Sequence, residues 1–365
     1  MNQKQKEIYM KKAIRIAHKG INNTGLNPIV GAVLVKNNKV IGQGYHEKIT
    51  GNHAEVNAIL NAESKGEKIS GATLFVTLEP CCHKSKKTPP CVDYIIQKGI
   101  KKVIFLEYDV NPKVNGKGVK ILEKNKLKVE QIFIKNSLDE INRGFKKSIT
   151  DKIPFISLKL CVSFDGKIFS NKLKNNLIGD FIQKKHSNEL RKNYDSILVG
   201  VNTIIKDNPE LTYRGKINKY NIQPIPIVLD SKLRTPKNSK ILLNPEIKPI
   251  FIVKTSVSKK KEEDFKKLGV KIIKLPNLSP NAILKVLNKL ELQRLLIEGG
   301  AKVFSSFLES NLWDEIILYY SNIFIGNEGV NMTSKFKKII KLKEENLNRF
   351  KKVGNNYMII LKQWE

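Results

Sequence analysis

The segment ATLFVTLEPCCHKSKKTPPC occupies residues 72–91. Its first seven residues are apolar or β-branched and carry no charge, so they read as a buried strand that ends at Pro80. The rest holds three of the chain's four cysteines, with His83 and the pair Pro89-Pro90. Four cysteines in 365 residues, three of them clustered, do not make a secreted disulfide framework. In a reducing cytoplasm, the location expected here, clustered Cys with His points to a metal.

The neighbouring segments supply the layers around that strand. KEIYMKKAIRIAHKG (6–20) has apolar residues at helical spacing and stops at Gly20. IVGAVLVKNNKVIGQGYH (29–46) reads as two strands around a turn at Asn37-Asn38, and HAEVNAILNAESKG (53–66) as a helix. After Cys91 follow a helix (92–100), a strand (101–108) and a helix (118–127). This alternation predicts a layered α/β domain over 1–148. A second α/β domain over 149–365 starts with PFISLKLCVSFDGKI (154–168). Its further strands are read at SILVGV, IPIVLD, IFIVK, VKIIKL, RLLIEG and EIILYY. Helices are read at 181–191, 260–268 and 281–290.

The net charge of +32 admits nucleic-acid binding or attraction of anionic substrates. The lysines, however, are spread along the chain and are not interleaved with aromatics, so they read as diffuse surface charge. No nucleic-acid partner is expected. No apolar run approaches the roughly 18 residues of a membrane helix, and the charged start does not read as a signal peptide.

A hydrolytic zinc site needs three protein ligands and an open position. His53 and two cysteines of the 72–91 segment can supply them, with Glu55 at the start of the same helix as His53. His-x-Glu followed by Pro-Cys and a second Cys is the zinc-deaminase pattern, with Glu as proton carrier. A lone His-Ala-Glu means little and a lone buried cysteine is packing. The combination is what signals chemistry.

The spacing departs from Pro-Cys-x-x-Cys, since Cys81 and Cys91 are ten positions apart. At this point the chain closely resembles the bifunctional riboflavin-biosynthesis deaminase/reductases. The resemblance rests on NPIVGAVLV (27–35), GYH (44–46), HAEVNAI (53–59), TLEPC (77–81), TPPC (88–91), DVNPKVNGKG (109–118), SFDGKI (163–168), ILVGVNTIIKDNPELTYR (197–214) and IEGG (297–300). It implies a cytidine-deaminase-like α/β/α domain followed by a dihydrofolate-reductase-like α/β domain. The implied activity is zinc-dependent deamination of a phosphorylated diaminopyrimidine, then NADPH-dependent reduction of its ribosyl chain to ribityl. A homo-oligomer is implied as well.

The family's cysteine loop is one residue shorter, so either Cys81 or Cys82 is the first ligand. Cys81 is preferred because LEPC is kept in register with the strand. The resemblance then implies zinc on His53, Cys81 and Cys91, and Glu55 as the catalytic residue. Asn27, His46, His83 and Lys87 would line the pyrimidine and ribose pocket, and Asp109 and Asn111 would meet the phosphoribosyl group. In the second domain Val162, Thr203, Asp207 and the segment Gly299, Gly300, Ala301, Lys302, Val303, Phe304, Ser305 would contact NADPH. Asn175, Arg191, Leu211, Arg214 and Glu298 would face the substrate, the two arginines meeting its phosphate. Lys159 and Asp165 are further polar candidates, although Asp165-Gly166 is also a good turn. Two departures stand out: Leu177-Ile178-Gly179 where the family has Trp-Ile-Thr, and Asn175 where it has serine.

Two other readings compete. One is a nucleic-acid adenosine deaminase with an accessory domain, which the long cysteine loop and strand-rich second half oppose. The other is a binding protein that has lost catalysis. The intact His53, Glu55, Cys81 and Cys91 oppose it for the first domain, while the altered 175–179 stretch leaves it open for the second.

Overall fold

The computed structural model describes residues 1–21, 23–25, 27–48, 50–83, 89–134, 139–173, 178–215, 223–341 and 347–363. The chain forms two compact units, Met1–Lys152 and Ile153–Glu365.

The first unit is built on a five-stranded sheet: β1 (Gly31–Lys36), β2 (Lys39–Tyr45), β3 (Thr73–Leu78), β4 (Lys102–Glu107) and β5 (Lys128–Gln131), in the order β2-β1-β3-β4-β5. β1 runs antiparallel to β2 and β3, while β3, β4 and β5 are parallel. The β1–β2 turn sits where it was read, with Asn37 at φ 50° and Asn38 at φ 58°, the left-handed pair that a two-residue hairpin favours. Both sheet faces are covered. Ala32, Leu34, Leu74 and Val76 face helices α2 (Ala54–Glu63), α3 (Cys91–Gln97) and α4 (Lys117–Lys124). The alternate residues Val33, Val35 and Phe75 face α1 (Gln3–Ala17). Side chains alternate across a strand, so a strand buried on both faces reads as a continuous apolar run. Gly42 and Gly44 let α2 sit on β2: a Cβ there would stand 2.2 Å from the Ala58 carbonyl oxygen and 2.3 Å from the Ala58 nitrogen. A last helix, α5 (Asp139–Thr150), was not anticipated.

The second unit holds β6 (Phe155–Val162), β7 (Lys167–Phe169), α6 (Phe181–Leu190), β8 (Ser196–Gly200), α7 (Val201–Asp207), β9 (Ile225–Leu229), β10 (Ile250–Lys254) and α8 (Lys259–Lys267). Then come β11 (Lys271–Leu275), α9 (Pro280–Lys289), β12 (Arg294–Ile297), α10 (Ala301–Glu309), β13 (Glu315–Tyr320), β14 (Val330–Asn331), β15 (Leu347–Val353) and β16 (Asn356–Lys362). Nine strands form one sheet in the order β11-β10-β9-β8-β12-β6-β13-β16-β15. It is parallel from β11 to β13, and the β15–β16 hairpin closes it antiparallel. Ile227, Ile252, Leu295 and Ile297 pack on one face, and Ile197, Val228, Phe251 and Leu296 on the other.

Candidate active sites

In the first unit the end of β3 and the starts of α2 and α3 meet. His53 is the N-cap residue of α2 and Cys91 the first residue of α3. Cys81 lies three residues beyond β3. The three candidate ligand atoms all lie within 4.8 Å of one another. His53 Nδ1 is 3.2 Å from Cys91 Sγ and 3.4 Å from Cys81 Sγ. Zinc bonds of ~2.0–2.1 Å to nitrogen and ~2.3 Å to sulfur in a tetrahedron put N and S about 3.5 Å apart. The donors therefore fit one face of a zinc tetrahedron, which leaves the fourth position open. Cys82 is turned elsewhere, its Sγ 3.8 Å from the Lys113 carbonyl oxygen.

Glu55 occupies the first turn of α2, two residues after His53, and is buried. Burial pushes its carboxyl above the ordinary value; His53 draws it down and Cys81 adds to the rise. The imidazole of His46 stands edge-on to that of His53, ring centres 5.2 Å apart. His46 Nε2 is 3.1 Å from Asn27 Nδ2, and its Nδ1 is 3.0 Å from the Asn52 carbonyl oxygen. So Asn27, His46 and His53 form one polar wall. Asn142 of α5 anchors the chain two residues after Asn27: its amide oxygen accepts from Ile29 N–H at 2.8 Å and its NH₂ donates to Ile29 C=O at 2.9 Å. Nothing in the sequence reading pointed to Asn142, because its partner is 113 positions away. Asp109 is buried and accepts the Asn111 N–H at 2.8 Å, closing a turn after β4. His83 is half-buried, and Lys87 lies outside the described residues.

The second unit contains a cavity of about 1290 Å³ at the carboxyl ends of β6, β8, β9 and β12. Crevices at the carboxyl ends of strands are where open α/β sheets bind ligands. Thr203, Asp207, Gly299, Gly300, Ala301, Lys302 and Val303 line it, as do Lys159, Arg191, Leu211, Arg214 and Glu298. Leu211 adopts φ 57°, a left-handed conformation that costs a leucine roughly 1–2 kcal/mol. Val162 and Phe304 instead point into the core, 0% and 1% exposed, and Ser305 uses its hydroxyl to accept the Ser334 N–H at 2.7 Å. Asn175 and Leu177 lie outside the described residues. Asp165 makes the turn: it accepts Ser163 Oγ–H at 2.6 Å and the N–H groups of Ile325 and Gly326 at 3.0 and 2.7 Å. The cavity also collects Lys184, Arg234 and Lys240, which lie outside every quoted motif, and Lys206 from within the 197–214 stretch.

Glu298 is the electrostatic centre of that cavity. Arg191 grips it with two parallel bonds, Nε to Oε1 at 3.0 Å and Nη2 to Oε2 at 2.9 Å, and donates Nη1 to the Thr212 carbonyl oxygen at 2.8 Å. Lys159 Nζ is 4.0 Å from Oε2. Burial pushes the Glu298 carboxyl up, but Lys159, Arg191 and Arg214 outweigh burial and hold it at about 2. A folded value below the ordinary 4.5 means that ionised Glu298 stabilises the second unit fully above that pH, and that this stabilisation fades as pH falls through about 2. The melting temperature of that unit should therefore fall on acidification across this window. Glu298→Gln should lower it at neutral pH and flatten its acid limb; calorimetry from pH 7 to pH 2 checks both.

Residues 3–107 match the family model described as the cytidine and deoxycytidylate deaminase zinc-binding region, and residues 154–357 match the RibD C-terminal domain. Riboflavin biosynthesis protein RibD of Aquifex aeolicus is 38% identical over 362 residues, 98% of either chain. The structure of Acinetobacter baumannii RibD, form 1, superposes with a TM-score of 0.85 at 31% identity over the full length of both chains. A diaminohydroxyphosphoribosylaminopyrimidine deaminase/5-amino-6-(5-phosphoribosylamino)uracil reductase of Thermotoga maritima gives 0.85 at 32% identity, covering 98% of this chain and 99% of its own.

Proposed function

This chain belongs to the bifunctional riboflavin-biosynthesis deaminase/reductase family, and from that premise we propose how its residues divide the work. The chain is a zinc-dependent deaminase and an NADPH-dependent reductase. We assign deamination to residues 1–148 and reduction to 149–365. The observation that carries the first assignment is the packing of His53, Cys81 and Cys91 against the first turn of α2.

His53, Cys81 and Cys91 would hold the zinc, which would act as a Lewis acid and bring the ionisation of a bound water near pH ~7. Glu55 takes one proton from the attacking water and delivers it to the pyrimidine ring nitrogen, then carries the water's second proton to the amino group, which leaves as ammonia when the C–N bond breaks. Asn27, His46, His83 and Lys87 hold the ring and ribose, and Asp109 and Asn111 the phosphoribosyl group. In the second unit bound NADPH would supply the hydride. Thr203, Asp207 and the 299–303 turn at the start of α10 hold the cofactor, since glycines and helix N-termini suit phosphate. Lys159 and Glu298, 4.0 Å apart in the cavity lining, would face the ribosyl part of the substrate. Incubating the protein with 2,5-diamino-6-(5-phosphoribosylamino)pyrimidin-4-one, with and without NADPH, tests the whole reading by product mass. The deaminated pyrimidine alone is expected without NADPH and the ribityl product with it; unchanged substrate in both overturns it.

Of the two arginines, Arg191 already uses three donors on Glu298 and Thr212, whereas Arg214 is exposed at the cavity. We therefore rank Arg214 as the main phosphate partner, with Arg191 also facing the substrate. Arg214→Ala removes a charge-assisted contact worth roughly 1.5–3 kcal/mol. The loss in reductase kcat/KM should be about ten- to over a hundred-fold. Lys at 214 should recover only part, for want of a planar fork. An Arg214 that is merely a surface residue leaves kcat/KM unchanged, and a reductase assay at saturating NADPH separates the two.

The scattered lysines support a small-molecule enzyme without a nucleic-acid partner. Tight, salt-dependent retardation of tRNA in a gel would revive the other deaminase reading. No helix among the described residues is long and apolar enough to cross a membrane. A cytoplasmic homo-oligomer completes the reading; fractionation and sedimentation test its two parts.

A further inference from the structure

Between the zinc ligands and the 109–116 turn lies a buried carboxylate that the mechanism does not use. Glu79 is 2% exposed and stands just past β3, two residues before Cys81. Its partners are backbone N–H groups. Oε2 accepts from Gly116 at 2.9 Å and Asp109 at 3.4 Å, and Oε1 accepts from Val119 at 3.2 Å. Its own N–H donates to the Glu107 carbonyl oxygen at 2.8 Å, which continues the β3–β4 ladder. Gly116, the N-cap residue of α4, has no side chain to cap that helix, and α4 has no acidic residue in its first turn. Glu79 supplies both the cap and the negative charge from another segment. Two further contacts seat the same segment: a Cβ on Gly118 would stand 2.2 Å from the Pro80 carbonyl oxygen, and Cys82 Sγ approaches Lys113 C=O.

We propose that Glu79 is a positioning residue of the deaminase. It fixes the 109–119 segment, which carries Asp109 and Asn111, at a set distance from the strand end that carries Cys81. The proposal rests on the reading of Asp109 and Asn111 as phosphoribosyl contacts. Three N–H groups converge on one carboxylate, and charge-assisted bonds of this kind are stronger than neutral ones. Glutamine cannot replace it, because one oxygen becomes an NH₂ that faces an N–H. The segment would then settle farther from the strand end, leaving the zinc ligands in place and misplacing the phosphate end of the substrate.

Full-length, zinc-loaded Glu79→Gln is assayed with the phosphorylated diaminopyrimidine. KM should rise about tenfold or more while kcat stays within about threefold. Zinc should remain near one per chain, and reduction of the deaminated substrate should be unchanged. Gly118→Ala, which pushes the same segment off Pro80 with Glu79 intact, should raise KM in the same direction. The two changes together should raise KM by less than the product of their separate factors. An unchanged KM in Glu79→Gln overturns the proposal, and so does loss of zinc and kcat with KM intact. Should Glu79→Gln fail to fold, Gly118→Ala decides by the same split. Asn111→Ala separates the two layers of inference. If it leaves KM unchanged while Glu79→Gln raises it, the contact assigned to Asn111 fails and the positioning role stands. If Asn111→Ala raises KM and Glu79→Gln does not, the positioning role falls and the contact stands.

Discussion

Glu55→Gln should keep its zinc and its fold and lose deamination by at least about a hundred-fold, the lower end of what general acid–base catalysis contributes. The change is nearly isosteric. It leaves the first turn of α2 intact and removes only the ability to take up and release a proton. Glu55 is buried beside His53 and Cys81, whose charges both act on its carboxyl. A carboxylate there is costly to bury unless it has work to do or a partner to hold it. The amide costs less, so the variant should melt no earlier than the parent. Reduction of already deaminated substrate with NADPH should proceed at the parent rate, because Glu55 and Glu298 stand in separate units. Metal analysis, a melting curve and the two half-reaction assays check every part of this. Loss of reduction together with deamination would mean that the activities are not separable; loss of zinc would mean that Glu55 supports the ligands rather than the proton.

Much of the fold was legible because burial leaves a pattern. β1, β3 and β4 are covered on both faces, so Ala32 to Val35, Leu74 to Val76 and Val103 to Leu106 read as short apolar runs. Asn37-Asn38 was legible because two successive left-handed residues suit few side chains. Most of the elements that were missed have weak or misleading patterns. α7 runs Val-Asn-Thr-Ile-Ile-Lys-Asp, rich in β-branched residues that locally favour a strand; packing of Val201 and Ile204 into the core decides for helix. In the β15–β16 hairpin, β15 carries Arg349, Lys351 and Lys352 and looks like solvated surface, whereas the apolar run Tyr357 to Leu361 of β16 was readable as a strand and was missed. The site divided in the same way. His53 and Glu55 were legible because His-x-Glu at a helix start combines with a downstream Pro-Cys and a second Cys. Glu79 and Asn142 were not, because each acts through backbone groups 30 to 113 positions away, and no spacing reports that. Lys159, Arg191, Arg214 and Lys302 of the reductase cavity were legible through the family pattern around them, but Lys184, Arg234 and Lys240 were hidden for another reason: 66 lysines and arginines make each one ordinary.

Cys81→Ser and Cys91→Ser should each lose zinc and with it deamination, whereas Cys82→Ser should keep close to one zinc per chain. The extra residue in the cysteine loop makes two registers possible, with Cys81 or Cys82 as the first ligand. Cys81 is 6% exposed, lies 3.4 Å from His53 Nδ1, and accepts the Cys91 N–H on its sulfur at 3.5 Å. Its carbonyl oxygen also accepts the Val92 N–H at 3.3 Å, so the turn that brings α3 to β3 is tied at the residue that carries the thiol. Cys82 faces Lys113 and packs against the apolar core. For Cys82 to ligate, the strand end would have to shift by one residue, breaking the Glu79 N–H bond to Glu107 and the three bonds to the Glu79 carboxylate. Each such bond contributes on the order of 1 kcal/mol or more, and the loss has no evident compensation. Serine is a near-isostere of cysteine but a poor zinc ligand, because its hydroxyl does not ionise at neutral pH whereas a metal-bound thiol does. Zinc per chain is measured on each purified variant, with deamination alongside. Zinc retained in Cys81→Ser and lost in Cys82→Ser would place the ligand at 82. Reductase activity should stay at the parent level in all three variants, and a chelator should abolish deamination in the parent without touching reduction.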